Sequence, residues 1–231
     1  SLDDPRSTND VNVKGTLHML LAASKAHVRR FIYASSSSIY GDSLQMPQEE
    51  TQAPRPVSPY AVSKLAGEYY CRSFTENFGL ETVGLRYFNV YGPNQDPESK
   101  YSAVIPALLA QLANGKPFQI HWDGLQARDF TFVKDVVQTN LLATKASNVA
   151  GKTFNVAGGK SISILDVAQA IVKIIGKNPG KRHTDRRQGD VRQTWASIAL
   201  AKKHLGYQPS VKFDEGLLKT VEYFRSTGWL S

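Results

Sequence analysis

The 231 residues (25.5 kDa) suffice for one or two domains with a full core; 41% are apolar and no apolar run nears the roughly 20 residues of a membrane span, which excludes disordered and membrane-spanning classes. The single cysteine, Cys71, excludes an internal disulfide, and with no signal-peptide pattern the expected location is the cytoplasm. A net charge of +8 suits anionic small molecules as well as nucleic acid.

Residues 8–26 carry Val11, Val13, Leu17, Leu20 and Leu21 between polar positions, predicting a helix with one buried stripe. The apolar run 31–34 then stops at Ser35, Ser36, Ser37 and Ser38, as a buried parallel strand stops on entering a loop. Gly41, Pro47, Pro54, Pro56 and Pro59 make 41–59 a loop. Ser58 and Pro59 form an N-cap and first-turn proline for a helix over 60–77, with Val62, Leu65, Ala66 and Tyr69 on one face and Gly79 closing it. A strand at 82–85 completes a strand–helix–strand rhythm typical of a parallel α/β sheet. Further on, the pattern predicts helices near 102–114 and 133–147 and strands near 118–121 and 130–132. A strand at 153–156 and helices at 163–175 and 213–226 follow.

The most informative feature is Tyr60-Ala-Val-Ser-Lys64 on the first turns of a predicted helix, downstream of the serines. Residues four apart share a helix face, so the Lys64 ammonium and the Tyr60 phenol can serve one site. A free phenol titrates near 10, and bringing it to neutrality takes about 4 kcal/mol. A lysine ~5 Å away supplies about 3 kcal/mol at an effective dielectric near 20. A second positive charge, such as an oxidised nicotinamide, closes the gap, so the pair makes most sense beside NAD+. A serine at the preceding strand end could bond the same substrate hydroxyl. The spacing alone is weak, since about 0.7 such pairs arise by chance in this composition. Taken bare, the pair reads as a solvated or snorkelling face and the serines as a linker. The strand before the serines and the Ser-Pro cap before Tyr60 favour the functional reading.

The chain resembles the extended short-chain dehydrogenase/reductase family, and within it the nucleotide-sugar epimerases, most closely UDP-N-acetylglucosamine and UDP-glucose 4-epimerases. The matching stretches are Asn12-Val-Lys-Gly15-Thr16, Tyr33-Ala-Ser-Ser36-Ser-Ser38-Ile-Tyr40-Gly41, Ser58-Pro-Tyr60-Ala-Val-Ser-Lys64 and Leu85-Arg-Tyr87-Phe88-Asn89-Val-Tyr91-Gly92-Pro93, followed by Arg128-Asp-Phe130, Val133 to Val137 and Arg187-Gln-Gly-Asp190-Val-Arg192. The resemblance implies an incomplete Rossmann-like, doubly wound parallel sheet with a smaller C-terminal α/β substrate-binding region. Residues 1–92 would be the later part of the NAD-binding domain, to which some later segments return, and 93–231 mainly the sugar-nucleotide region.

It further implies NAD as cofactor and C4 epimerisation of a UDP-hexose through transient oxidation, with Tyr60 as base, Lys64 on the nicotinamide ribose and Ser36 on the reacting hydroxyl. Asn12, Ser35 and Tyr87 would lie with Tyr60 and Lys64 near the cofactor. Ser38, Asn89, Arg128, Phe130, Arg187, Asp190 and Thr194, with Ser36, would line the substrate site. A small residue at 194 suggests that N-acetylhexosamines fit. The absence of a carboxylate from 36–38 disfavours the related 4,6-dehydratases and decarboxylases. A homodimer through helices 8–26 and 60–77 is the implied assembly, and polysaccharide biosynthesis a suggested context.

Two departures stand out. No Gly-x-x-Gly-x-x-Gly turn occurs, so roughly two or three strand–helix units of the family fold are expected to lie outside these residues, and the chain alone is expected to be inactive. Ser197 and Ala199 replace the usual Asp and Ser, which puts the local helix cap in doubt. Three readings compete: part of an ordinary epimerase, a shortened and inactive nucleotide-sugar-binding protein, or an interaction module on a degenerate scaffold. Another extended short-chain dehydrogenase, a dehydratase or reductase, is the remaining enzymatic alternative. The basic segment 181–187 lacks interleaved aromatics, so nucleic acid is not expected, nor is a membrane partner; the five histidines show no metal-ligand spacing.

Overall fold

The computed structural model describes residues 1–97, 103–186 and 191–230. The first half runs through α1 (Pro5–Asn9), a π-helical turn (Asp10–Lys14), α2 (Gly15–Lys25), β1 (Arg30–Ser36), a 3-10 turn (Ser37–Tyr40), α3 (Pro59–Phe78), β2 (Glu81–Tyr87) and β3 (Val90–Tyr91). Then come α4 (Val104–Ala113), β4 (Phe118–His121), β5 (Ala127–Asp129), β6 (Thr131–Phe132), α5 (Val133–Lys145) and β7 (Lys152–Val156). The chain ends with β8 (Ser161–Ser163), α6 (Ile164–Ile175), β9 (Lys181–Thr184), α7 (Ala199–Leu205) and α8 (Phe213–Ser226).

β1, β2 and β7 form a parallel sheet in that order, with Arg30 opposite Glu81 and Ser36 opposite Tyr87. Successive side chains on a strand face opposite ways. On β2, Val83 and Leu85 enter a core with Val136, Ala143, Phe154 and Tyr207, under α5 and α7. Tyr33, Leu20, Cys71, Phe74 and Leu80 fill the opposite face under α2 and α3. Helices on both faces of a parallel sheet are the doubly wound arrangement the sequence predicts. A separate core gathers α4, β4, α6 and α8 through Leu108, Leu109, Ile120, Val167, Ile171 and Val221.

The ends of α3 follow from its caps. The Ser58 hydroxyl accepts from the Ala61 N–H at 3.2 Å, Pro59 opens the first turn, and Gly79 closes the helix in the left-handed region at φ 69°. Its buried face is a correction. Val62 and Tyr69 are 52% and 59% exposed, while Ala61, Ser63, Gly67, Glu68, Cys71 and Phe74 face inward. The reason is close approach: a Cβ on Gly67 would stand 2.1 Å from the Tyr33 hydroxyl oxygen. Small residues let α3 lie directly on β1.

The first helix departs in the same way, burying only Leu20 and leaving Val11 and Leu21 exposed. The π turn, closed by Gly15 N–H to the Asp10 carbonyl, breaks the 3.6-residue period on which the stripe was counted. β1 also runs two residues past the apolar run, because Ser35 and Ser36 keep their ladder partners Arg86 and Tyr87. α7 has no side-chain cap at Ile198, and the Ser197 hydroxyl accepts instead from the Ala199 N–H at 3.4 Å.

Candidate active site

The parallel strands end at one edge, where ligands bind in open α/β sheets. A cleft of about 680 Å³ opens there, with Ser35 to Ser38, Tyr60, Tyr87, Asn89, Arg128 and Thr194 among its walls. A second cavity, about 190 Å³, shares Asn89, Val90 and Arg128 with it and continues past Phe130, Gln119 and His121 beneath α4. Asn89, Val90 and Arg128 thus stand between the sheet-edge cleft and the C-terminal cavity.

Tyr60 stands on the first turn of α3, 39% exposed at the cleft. One turn on, the Lys64 Nζ donates to the Ala34 carbonyl at 3.0 Å and lies 5.8 Å from the centre of the Tyr60 ring and 5.4 Å from that of Tyr33. Burial lowers the Lys64 pKa. Ser36 caps the 3-10 turn by accepting from the Ser38 N–H at 3.2 Å, and the Ser38 hydroxyl is buried with no hydrogen-bond partner. Ser35 is buried and its hydroxyl donates to Glu68.

Asn12 sits in the π turn and reaches α3, donating to the Ser63 hydroxyl at 2.9 Å; Ser63 in turn donates to the Tyr60 carbonyl at 2.7 Å. Asn12 thus braces the turn that carries Tyr60 and is not among the cleft walls. The Tyr87 hydroxyl donates to Asn140 at 3.0 Å, and burial raises its pKa.

On the other wall, Asn89 adopts φ 26° and donates to the Asp129 carbonyl at 3.0 Å and the Thr194 hydroxyl at 3.3 Å. Phe130 packs on Tyr91 and Phe213. Arg128 lines both cavities, and Thr194 is buried beside it. Arg187 and Asp190 lie outside the described residues.

Two buried groups escaped the sequence reading. Glu68 and Arg86 form an ion pair at 2.7 Å, with side chains only 7% and 6% exposed. Glu68 continues the Tyr60–Lys64 stripe by one turn, but nothing local in the sequence pairs it with Arg86. The Asp129 carboxylate accepts from the N–H groups of Gly158 at 2.8 Å, Gly159 at 3.1 Å and Ala196 at 3.3 Å, and burial pushes its pKa up to about 7 against those bonds. Asp129 thereby joins the strand of Arg128 to the segment of Thr194.

Comparison with known proteins identifies the family. The profile of the NAD dependent epimerase/dehydratase family matches residues 1–157. A UDP-glucose 4-epimerase of Mycolicibacterium smegmatis is 36% identical over 227 residues, 98% of this chain and 72% of that protein. A UDP-N-acetylglucosamine 4-epimerase from Methanobrevibacter ruminantium M1, solved with UDP-N-acetylmuramic acid, superposes with a TM-score of 0.94 at 36% identity, covering 98% of this chain and 73% of that one. A UDP-glucuronic acid 4-epimerase from Bacillus cereus, solved with UDP-glucuronic acid and NAD, gives 0.86 at 36% identity over 94% of this chain and 68% of that one. The chain spans about two thirds of the length of the curated relatives it matches. Sheet, strand-end serines, Tyr60–Lys64 helix and these likenesses agree: the chain belongs to the NAD dependent epimerase/dehydratase family.

Proposed function

We propose that this site epimerises C4 of a UDP-hexose, a UDP-N-acetylhexosamine in particular, through a transient 4-keto sugar with NAD as cofactor. The observation that carries the reading is the Tyr60 phenol beside the Lys64 ammonium, in a cleft that the strand-end serines and Arg128 also line.

The residues present fit the nicotinamide end of a dinucleotide. Lys64 uses one N–H on Ala34 and keeps others for a ribose hydroxyl, and the buried Ser38 hydroxyl, unpartnered by protein, is left for the sugar. Ser35 and Tyr87 border the same space. The glycine-rich turn that holds a pyrophosphate in dinucleotide-binding folds does not occur in these 231 residues. When bound, NAD+ supplies the acceptor for the hydride of C4, and return of that hydride to the opposite face of the 4-keto sugar is what inverts the centre.

Tyr60 takes the proton of the C4 hydroxyl and later gives it back. Lys64 stabilises the phenolate by its charge. Ser36 bonds the reacting oxygen and fixes it against the phenol. Asn12 keeps the Tyr60 turn in place through Ser63. Asn89, Arg128 and Phe130 hold the uridine diphosphate, for which charge-assisted arginine bonds are apt. Thr194, short and hydrogen-bonded to Asn89, leaves room for an N-acetyl group.

Dehydration is the runner-up chemistry. It requires a proton to leave C5 and water to leave C6, and residues 36–38 offer no carboxylate for either step. The assembly we propose is a homodimer, supported by the exposed apolar face of α3, with Val62, Tyr69 and Tyr70, and by Met19 and Leu21 on α2.

The test is UDP-N-acetylglucosamine with NAD+ and the full-length protein, followed by NMR. Appearance of the C4 epimer supports the reading; a 4-keto-6-deoxy product would replace it with dehydration.

A further inference from the structure

Behind the cleft runs a chain of buried polar side chains that the proposed chemistry leaves unused. Arg86, on β2, donates from Nε and Nη2 to the two carboxylate oxygens of Glu68 at 2.9 and 2.7 Å. The Ser35 hydroxyl donates to the same carboxylate. On its other side Arg86 donates from Nη1 to the Tyr40 hydroxyl at 2.8 Å, and Tyr40 donates to Asn155 Oδ1 at 2.7 Å. Asn155 Nδ2 continues to the carbonyls of Gln48 at 3.0 Å and Ser197 at 3.2 Å. Those two segments are laced together, Gln48 N–H to the Trp195 carbonyl at 2.7 Å and Ser197 N–H to the Gln48 carbonyl at 3.0 Å.

The pieces joined are the ones that must keep register for the reaction. Glu68 shares its helix stripe with Tyr60 and Lys64. Tyr40 ends the 3-10 turn that begins at Ser37, directly after Ser36. Ser197 lies three residues from Thr194. A buried ion pair is weak evidence for stability, because desolvating both charges offsets their attraction. A guanidinium bonded on both edges does set direction, since its fork is planar and rigid.

We propose that Arg86, with Glu68 and Tyr40, is a positioning unit that fixes the serine turn and the Thr194 segment against the Tyr60–Lys64 helix. The proposal rests on the roles given above to Tyr60 and Ser36.

Two variants of the full-length protein test it. Tyr40→Phe interrupts the chain by one hydroxyl, and Arg86→Met removes its centre; if the latter fails to fold, the former suffices. Backbone hydrogen exchange needs no turnover. Faster exchange at the Gln48 and Ser197 amides in Tyr40→Phe is expected, with amides of β4 and β9 unchanged. Parent-like exchange at those two amides overturns the proposal. In turnover, kcat is expected to fall on the order of tenfold to a hundredfold with KM nearly constant. A folded Tyr40→Phe with the parent kcat overturns it as well. Exchange decides the linkage whether or not the parent turns over, so its failure and that of the functional reading are read separately.

Discussion

Glu68 and Asp129 are two buried carboxylates held in two ways, and each makes a distinct prediction. Glu68 is neutralised by Arg86, so Arg86→Met leaves a buried carboxylate unpaired and should destabilise the fold by about 3–5 kcal/mol. Replacing Glu68 by Leu in the same variant removes that charge and should recover much of the loss; urea midpoints read both. A double variant no more stable than the single would contradict the assignment. Asp129 has a folded pKa raised above the unfolded value of about 3.9, by burial. Its ionisation therefore opposes folding, and its contribution is fully present below about pH 4 and lost as pH rises toward about 7. The stability of the parent relative to Asp129→Asn should fall over that window and level off above it. Urea unfolding at a series of pH values checks this, and a rise would contradict it.

At the level of elements, local signals carried α3 almost whole. Cap, proline and terminal glycine are read within a few residues of the bond they make, and they match. Which face turns inward depends on what lies opposite, and no local pattern holds the Tyr33 ring that makes Gly67 obligatory. Gly67→Ala should therefore destabilise by about 1–3 kcal/mol through overpacking against Tyr33. A variant as stable as the parent, by thermal or urea unfolding, would mean that α3 can lift from β1. The site follows the same rule. Tyr60, Lys64 and the serines were legible because they lie close in sequence. The Glu68–Arg86–Tyr40–Asn155 chain was not, because it needs the β1–β2–β7 register and the packing of α3. Short elements such as β3, β8 and β9 have two to four residues each, too few for any period to show.

The whole molecule combines a three-stranded parallel sheet with a C-terminal core, and the cleft at the strand ends shares Asn89, Val90 and Arg128 with the cavity beneath α4. The apolar residues that α3 turns outward have a consequence at this scale. Tyr69→Glu, placed on that face, should shift the sedimentation mass from two copies toward one while leaving the fold intact. An unchanged mass would place the dimer contact elsewhere, and a monomeric parent would remove it.

The central claim is that Tyr60 moves the proton of the C4 hydroxyl. Its most direct test compares interconversion of UDP-N-acetylglucosamine and its C4 epimer by the full-length protein and by Tyr60→Phe, with UDP affinity measured on both. The account predicts turnover in the parent, none in the variant, and nearly equal UDP binding. A Tyr60→Phe protein that epimerises at the parent rate, or a parent that binds UDP and never epimerises, would contradict it.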